Sequence, residues 1–342
     1  MLFKPFKSLI LYLLLGLLSP SLYAQDAHYS QYMNSPLNLN PALTAYSQST
    51  YRATLNHKSQ WAAVTVPYQN FSASFESKII KRKKQRDYIG IGVIFNNDQA
   101  GDSKFGTSQI GISASFVKAL NRNGKNVISL GIQSSYFQRS IDYTQLYFQD
   151  SWNGITSNPN SGNTENFSVD KFNFFDISTG FHWFLKAANN LAFNSGISVW
   201  HLNKPQQTLM DEDAPLDIKY QIYTEAYINT ERPFDIIPSV IYTRQGPYQE
   251  MLLGLRFKSK FHQSKKNYFA INYGLYGRMM DALIIYMGLD YKNFVLAATY
   301  DFNLSSLSIA SNTMGGMELS LKWLIFKTKK TKKIGPSPCP IF

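Results

Sequence analysis

Phe175-Asp176-Ile177-Ser178-Thr179-Gly180-Phe181-His182-Trp183-Phe184-Leu185 is the stretch that decides the fold. Its odd positions carry Phe, Ile, Thr, Phe, Trp and Leu; its even positions carry Asp, Ser, Gly, His and Phe. A strand sends successive side chains to opposite faces, so one face meets an apolar medium and the other a polar one. The same alternation recurs at Ile110, Ile112, Ala114 and Phe116 against Gly111, Ser113 and Ser115. It returns at Met317, Leu319, Leu321, Trp323 and Ile325 against Glu318, Ser320 and Lys322. About fourteen such segments follow one another, starting near Tyr51, Gln69, Tyr88, Thr107, Lys125, Asn173, Leu191, Leu216, Asp235, Gln249, Asn267, Ala282, Phe294 and Gly315. The weakest is 235–244, because Pro238 cannot donate to a ladder.

Composition fits the same picture. Aromatic residues make up 15% of the chain and charged residues only 16%, too little charge for an ordinary soluble surface so rich in rings. A transmembrane barrel resolves this, since each strand turns one face to lipid and the other to a polar interior. At the start, Lys4 and Lys7 precede an apolar run from Leu9 to Leu18 and then Ser19-Pro20-Ser21-Leu22-Tyr23-Ala24. This pattern predicts a signal peptide cleaved after Ala24; the run is short of the roughly 20 residues of a spanning helix. Removal would leave 318 residues (342 minus 24), about 23 per strand with its connection, which suits strands of ~10 residues.

The formal charge of +12 raises the question of nucleic acid. The basic clusters argue against it: Lys78, Lys81, Arg82, Lys83, Lys84 and Arg86, and the tail Lys327, Lys329, Lys330, Lys332 and Lys333, fall in a turn and a tail rather than on one face. The single cysteine, Cys339, excludes an internal disulfide and reads as a tail thiol.

An even strand number puts both termini on one side, expected to be the periplasm. Short periplasmic connections are then expected at 80–86, 120–125, 186–190, 229–233, 258–266 and 291–293, with the longest connection, 139–172, outside. Inward positions carry charges of both signs: Arg52, Glu76, Lys78, Asp176, Lys219, Glu225, Arg256, Arg278, Asp290, Asp301, Glu318 and Lys322. Opposite charges in one lumen pair and fill it, whereas a selective pore favours a ring of one sign.

Catalytic patterns are lacking: there is no Gly-rich phosphate loop, nucleophile elbow or HExxH. The histidines His28, His57, His182, His201 and His262 show no ligand spacing and read as ordinary polar residues. Asp211-Glu212-Asp213 is a loop tip whose oxygens could suit calcium or simply face solvent, and Trp152 to Ser168 reads as a surface loop. No enzyme activity, cofactor or metal is expected.

The ends are more specific. Gln25-Asp26-Ala27-His28-Tyr29-Ser30-Gln31-Tyr32-Met33-Asn34, then Asn38-Leu39-Asn40-Pro41-Ala42, precede Tyr51-Arg52 and Gln60-Trp61. Near the other end stand Tyr300-Asp301-Phe302-Asn303, Gly315-Gly316-Met317-Glu318-Leu319-Ser320-Leu321 and a final Cys339-Pro340-Ile341-Phe342. Together these resemble the PorP/SprF family of outer-membrane proteins of the type IX secretion system of Bacteroidota, although Ala53 to Ser59 separate two elements which that family joins closely. The resemblance implies an all-β outer-membrane barrel that serves secretion and gliding. Its partners would be secretion components, including periplasmic rings, or a large secreted adhesin with a C-terminal sorting domain.

The chain thus divides into a leader 1–24, an N-terminal periplasmic or plug segment 25–48, an antiparallel barrel 49–326 and a basic periplasmic tail 327–342. The first segment keeps apolar residues that a free tail has little reason to keep, and is expected to pack into the periplasmic mouth or simply to plug the lumen. Candidate partner-binding residues are Tyr29, Gln31, Tyr32, Asn40 and Pro41 there, and Lys332, Lys333, Cys339, Pro340 and Phe342 in the tail. The competing functional class is a small-solute channel.

Overall fold

The computed structural model describes residues 26, 28–62, 66–81, 87–146, 170–207, 214–230, 232–263, 268–305 and 308–327. The leader 1–24, the cluster 82–86, the stretch 152–168 and the acidic tip 211–213 lie outside these residues, as do Lys332, Lys333, Cys339, Pro340 and Phe342 of the tail.

Where apolar and polar side chains alternate, the chain forms strands: β1 (Tyr51–Gln60), β2 (Tyr68–Lys81), β3 (Tyr88–Ala100), β4 (Phe105–Ala119), β5 (Asn126–Ser140), β6 (Lys171–Lys186) and β7 (Leu191–Trp200). Then follow β8 (Lys219–Asn229), β9 (Phe234–Gln245), β10 (Tyr248–Gln263), β11 (Tyr268–Arg278), β12 (Ala282–Tyr291), β13 (Phe294–Asn303) and β14 (Met314–Ile325). Each pairs antiparallel with its neighbours in sequence, and β14 closes on β1 with Tyr51 opposite Ile325 and Gln60 opposite Gly316. The result is a closed fourteen-stranded barrel with no open edge.

In β6 the alternation acts as the sequence predicts: Asp176, Ser178 and His182 are buried inside, while Phe175, Ile177, Phe181 and Trp183 are exposed outside. The outer wall elsewhere is equally apolar, with Ile110, Ile112, Leu130, Ile132, Leu275 and Met287 all exposed. In water such a surface would be a large liability; against lipid it is the favourable one. Aromatic pairs mark its rims, among them Tyr51 on Phe75, Phe294 on Trp323 and Tyr136 on Phe175.

Two strands carry local irregularities. Pro238 lies inside β9, opposite Leu255 of β10, and the pairing to β8 lapses between Glu225–Ser239 and Ile228–Ile236. A proline without an N–H opens one ladder there while the β10 ladder carries the strand. β8 starts at Lys219, not at Leu216, because Leu216 N–H instead donates to the Pro205 carbonyl at 2.9 Å.

The connections fall into two sets. At the near mouth, where β1 begins and β14 ends, they span 82–87, 120–125, 187–190, 230–233, 264–267 and 292–293. At the far mouth they span 61–67, 101–104, 141–170, 201–218, 246–247, 279–281 and 304–313, and include the two longest.

Residues 28–49 run through the lumen as single helical turns at Tyr32–Asn34, Pro36–Leu39 and Pro41–Leu43. Pro36 and Pro41 stand at first helical positions, where their fixed φ favours the turn. Asn40 caps the last turn by accepting the Ala42 N–H at 2.8 Å. Leu39, Leu43 and Tyr46 pack with Tyr223, Ile241, Leu252, Tyr276 and Ile284 into a small hydrophobic core within the barrel.

This route departs from the expectation that both ends of the mature chain lie on one side. It enters β1 at the near mouth, but Asp26 lies at the far mouth beside His201, Lys219 and Gln245. The ends of β1 and β14 share a mouth, whereas the described chain ends Asp26 and Lys327 do not. The polar inner wall supplies hydrogen-bond partners along the whole lumen, so the segment traverses it rather than stopping at the near mouth.

Candidate functional site

The candidate site is this filled lumen. It has three levels, each held by buried polar groups that the strand alternation turns inward.

At the near mouth, the Arg52 guanidinium of β1 grips Glu76 of β2, with Nη2 at 2.6 Å and Nε at 2.8 Å from its carboxylate oxygens. Arg52 also donates to the Leu43 carbonyl at 2.8 Å and the Tyr46 carbonyl at 3.0 Å. The Ala45 N–H donates to Glu76 at 2.6 Å. Both side chains are essentially inaccessible, so the pair ties the end of the segment to the wall. Lys78 adds a hydrogen bond to the Ser47 carbonyl.

Midway, the wall approaches the segment closely. Asn40 donates to the carbonyls of Phe181 at 2.9 Å and Ile197 at 3.1 Å. Ser129 donates to the Ala42 carbonyl at 2.7 Å, and Ser198 to the Leu39 carbonyl at 2.8 Å. Gly131 and Gly180 face each other across β5 and β6. A Cβ on Gly180 would fall on the Asn40 carboxamide, and one on Gly131 would fall on the Pro41–Ala42 backbone. Only glycine leaves room for the backbone there.

Toward the far mouth, Glu318 accepts the Ser30 N–H at 2.8 Å and the Gln31 N–H at 3.2 Å. The Gln31 carboxamide donates to the Glu318 carbonyl at 2.8 Å and accepts from Ser320 at 2.6 Å. Ser30 bridges Asp301, at 2.9 Å, and Arg278, at 2.8 Å. At the rim Asp26 forms a clasp: its carboxylate lies 2.7 Å from Lys219 Nζ and 2.8 Å from His201 Nε2, whose Nδ1 is 2.9 Å from Asp176. Burial opposes charge on both groups. The Asp26 carboxylate and the Asp176 hydrogen bond nonetheless raise the His201 pKa to about 9, and Lys219 and His201 hold the Asp26 carboxyl well below the usual carboxylate range.

The structure therefore gathers the described candidate residues in the lumen. Gln31, Tyr32, Asn40 and Pro41 are buried, and the Tyr29 hydroxyl donates to Asn70. Sequence reasoning missed the Asp26–His201–Lys219–Gln245 clasp, and nothing in the spacing of those residues signals it. Among the described residues no group of three or more His, Cys, Asp or Glu side chains could hold a metal ion. Beside the clasp, open space remains in a cavity of about 320 Å³.

Solved barrels share the architecture. The toluene transporter TbuX of Ralstonia pickettii is 8% identical, with 85% of this chain and 94% of that one covered at a TM-score of 0.50. A FadL homologue of Pseudomonas aeruginosa is 9% identical, covering 83% and 92% at 0.47, and the toluene transporter TodX of P. putida is 8% identical, covering 84% and 93% at 0.48. At 8% identity the likeness to TbuX is one of fold, that of an outer-membrane barrel. No curated protein matches the sequence. The family model for the type IX secretion system membrane protein PorP/SprF matches residues 21–323. That span takes in the lumen segment and nearly every residue of the fourteen strands, and on it the chain belongs to the PorP/SprF family of type IX secretion system membrane proteins.

Proposed function

We propose that this chain is a non-enzymatic anchoring component of type IX secretion, partnering the periplasmic apparatus or a large secreted adhesin rather than conducting small solutes. One observation carries the reading: residues 28–49 occupy the lumen from mouth to mouth, fastened by buried ion pairs and by the Asn40 hydrogen bonds. A conducting barrel needs a continuous polar path, and the space that the segment occupies favours a scaffold instead. Longer connections face outward in bacterial barrels, which assigns the far mouth to the exterior and the near mouth, with the basic tail from Lys327, to the periplasm. On this reading the leader is removed near Ala24, and partner contacts fall to the surfaces outside the lumen, with Lys332, Lys333, Cys339, Pro340 and Phe342 on the periplasmic side.

The test is affinity isolation of the tagged full chain from detergent-solubilised outer membranes, paired with planar-bilayer recording. Recovery of secretion-ring components or a large secreted protein, with no steady conductance, is the expected result. A steadily conducting barrel without partners would replace the anchor by a channel.

A further inference from the structure

We propose that the far-mouth cavity is a binding site for a neutral saccharide, a property that goes beyond the anchoring role. The cavity has about 320 Å³ of open space, at the lower end of the ~300–1,000 Å³ of small-molecule sites. Its lining is mixed. Phe137 of β5 and Phe174 of β6 stack in parallel at 4.9 Å. Polar groups beside them include Asn96 and Asp98 of β3 and Arg139 of β5.

The charges narrow the ligand. Buried cations and anions elsewhere in the lumen are largely paired: Arg52 with Glu76, Arg256 with Glu225, Lys258 with Asp290 and Lys260 with Asp235. Lys219 and His201, which also line the cavity, are balanced by Asp26 and Asp176. Asp98 and Arg139 border the same space on either side of Thr107, and neither belongs to an ion pair among the described residues. Arg139 is instead oriented by neutral partners, Thr107 at 3.2 Å and Gln207 at 2.6 Å. One acceptor and one donor of opposite charge, on one wall with Thr107 between them, suit a ligand that offers both donors and acceptors and carries no net charge. A sugar hydroxyl does both at one atom, and a pyranose ring has an apolar C–H face to lay on Phe137 and Phe174. A peptide side chain would use either the stacked rings or the polar groups; a saccharide uses both. An anionic glycan would satisfy Arg139 but meet Asp98.

The experiment uses the full chain in a zwitterionic, sugar-free detergent. It is applied to an array of neutral and anionic oligosaccharides, and neutral disaccharides are then titrated with saturation-transfer NMR readout. Neutral saccharides are expected to bind with ring C–H protons saturated by the protein. Asp98→Asn and Phe137→Ala should each weaken binding about tenfold or more, the loss expected for a charge-assisted hydrogen bond or a stacked ring. Phe71→Ala, on the outer wall, should leave it unchanged, and unheated gel mobility verifies that each variant is folded. The site assignment is overturned if no neutral saccharide binds, if anionic glycans or peptides bind instead, or if Asp98→Asn and Phe137→Ala bind as the parent does.

Discussion

The two halves of the barrel's inner wall solve the same problem in opposite ways. From β2 to β7 the middle of the inner face is built of small residues, with Ser72 and Ser74, Gly90 and Gly92, Ser113 and Ser115, Ser129 and Gly131, Ser178 and Gly180, and Ser198. From β8 to β12 it is built of large ones, with Tyr223 and Glu225, Arg256 and Lys258, Tyr276 and Arg278, and Tyr286 and Asp290. The first half makes room for residues 28–49 and satisfies their backbone. The second fills the lumen with its own side chains, joined by ion pairs such as Lys258–Asp290 at 2.6 Å. A closed barrel of fourteen strands is too wide for side chains from the wall alone to meet across it. Filling it takes either long residues or an inserted chain, and this molecule uses one on each side.

The largest expected effect separates the halves at their ion pairs. Arg52→Met leaves Glu76 buried without its cation and should cost about 3–5 kcal/mol. It should also free the segment's end, so that a protease cuts between residues 40 and 50 in the otherwise folded barrel. Lys258→Met strands Asp290 in the other half and should cost a similar amount in denaturant titration while leaving that cleavage pattern unchanged. Arg52→Met with Glu76→Leu should regain much of the loss. If both single variants expose the segment equally, the halves are not independent.

Next comes the fit at the glycines. Gly180→Leu places a side chain where the Asn40 carboxamide sits, and Asn40 is fixed by hydrogen bonds to Phe181, Ile197 and Ala42. Overpacking of this kind costs about 1–3 kcal/mol or more, seen as a lower unfolding midpoint and a displaced segment. Full retention of stability would mean that the segment can move aside.

The clasp at Asp26 should give a smaller, pH-dependent effect. His201, with its folded pKa raised to about 9 from 6.5, contributes stability that is complete below pH 6.5 and lost as pH rises through 9. Asp26 has its folded pKa lowered, so its contribution is present above the ordinary value of 3.8 and fades as pH falls below it. Labelling of a cysteine introduced at residue 28, which leaves Asp26 in place, should therefore be slow from about pH 4 to 8, relative to a free thiol at each pH, and rise on either side. In His201→Gln the alkaline rise should vanish while the acid rise remains. An alkaline rise that persists in that variant would show that His201 is not its source.

The outer wall and the strand order were legible because period-two alternation is a local property, carried whole by segments such as Phe175–Leu185 and Met317–Ile325. The mixed inward charges also announced a filled interior. The route of the filling was not legible. Tyr29, Gln31, Asn40 and Pro41 stand out in the sequence, but their partners Asn70, Glu318, Phe181 and the Gly131 backbone lie 41 to 287 positions away for the hydrogen-bonded ones. No periodicity encodes such distances. His201 reads as an ordinary loop histidine until Asp26, 175 positions earlier, is brought against it. The glycines were visible as letters in strands, yet their purpose follows only from what passes in front of them.

Glycine is also where the comparison can be sharpened at the smallest scale. Gly277 of β11 stands at an outward position between the exposed Leu275 and Met279, and a Cβ added there meets nothing within 4 Å. Unlike Gly180, it has no chain passing in front of it. Gly277→Ala removes backbone freedom from the unfolded chain and adds a methyl group toward lipid, so it should be neutral or stabilising by about 0.4–1 kcal/mol. The denaturant midpoint is the measurement, taken beside Gly180→Ala on the same strand chemistry. Opposite signs would show that the inner glycines are set by the inserted segment, whereas equal destabilisation would trace both to the strand itself.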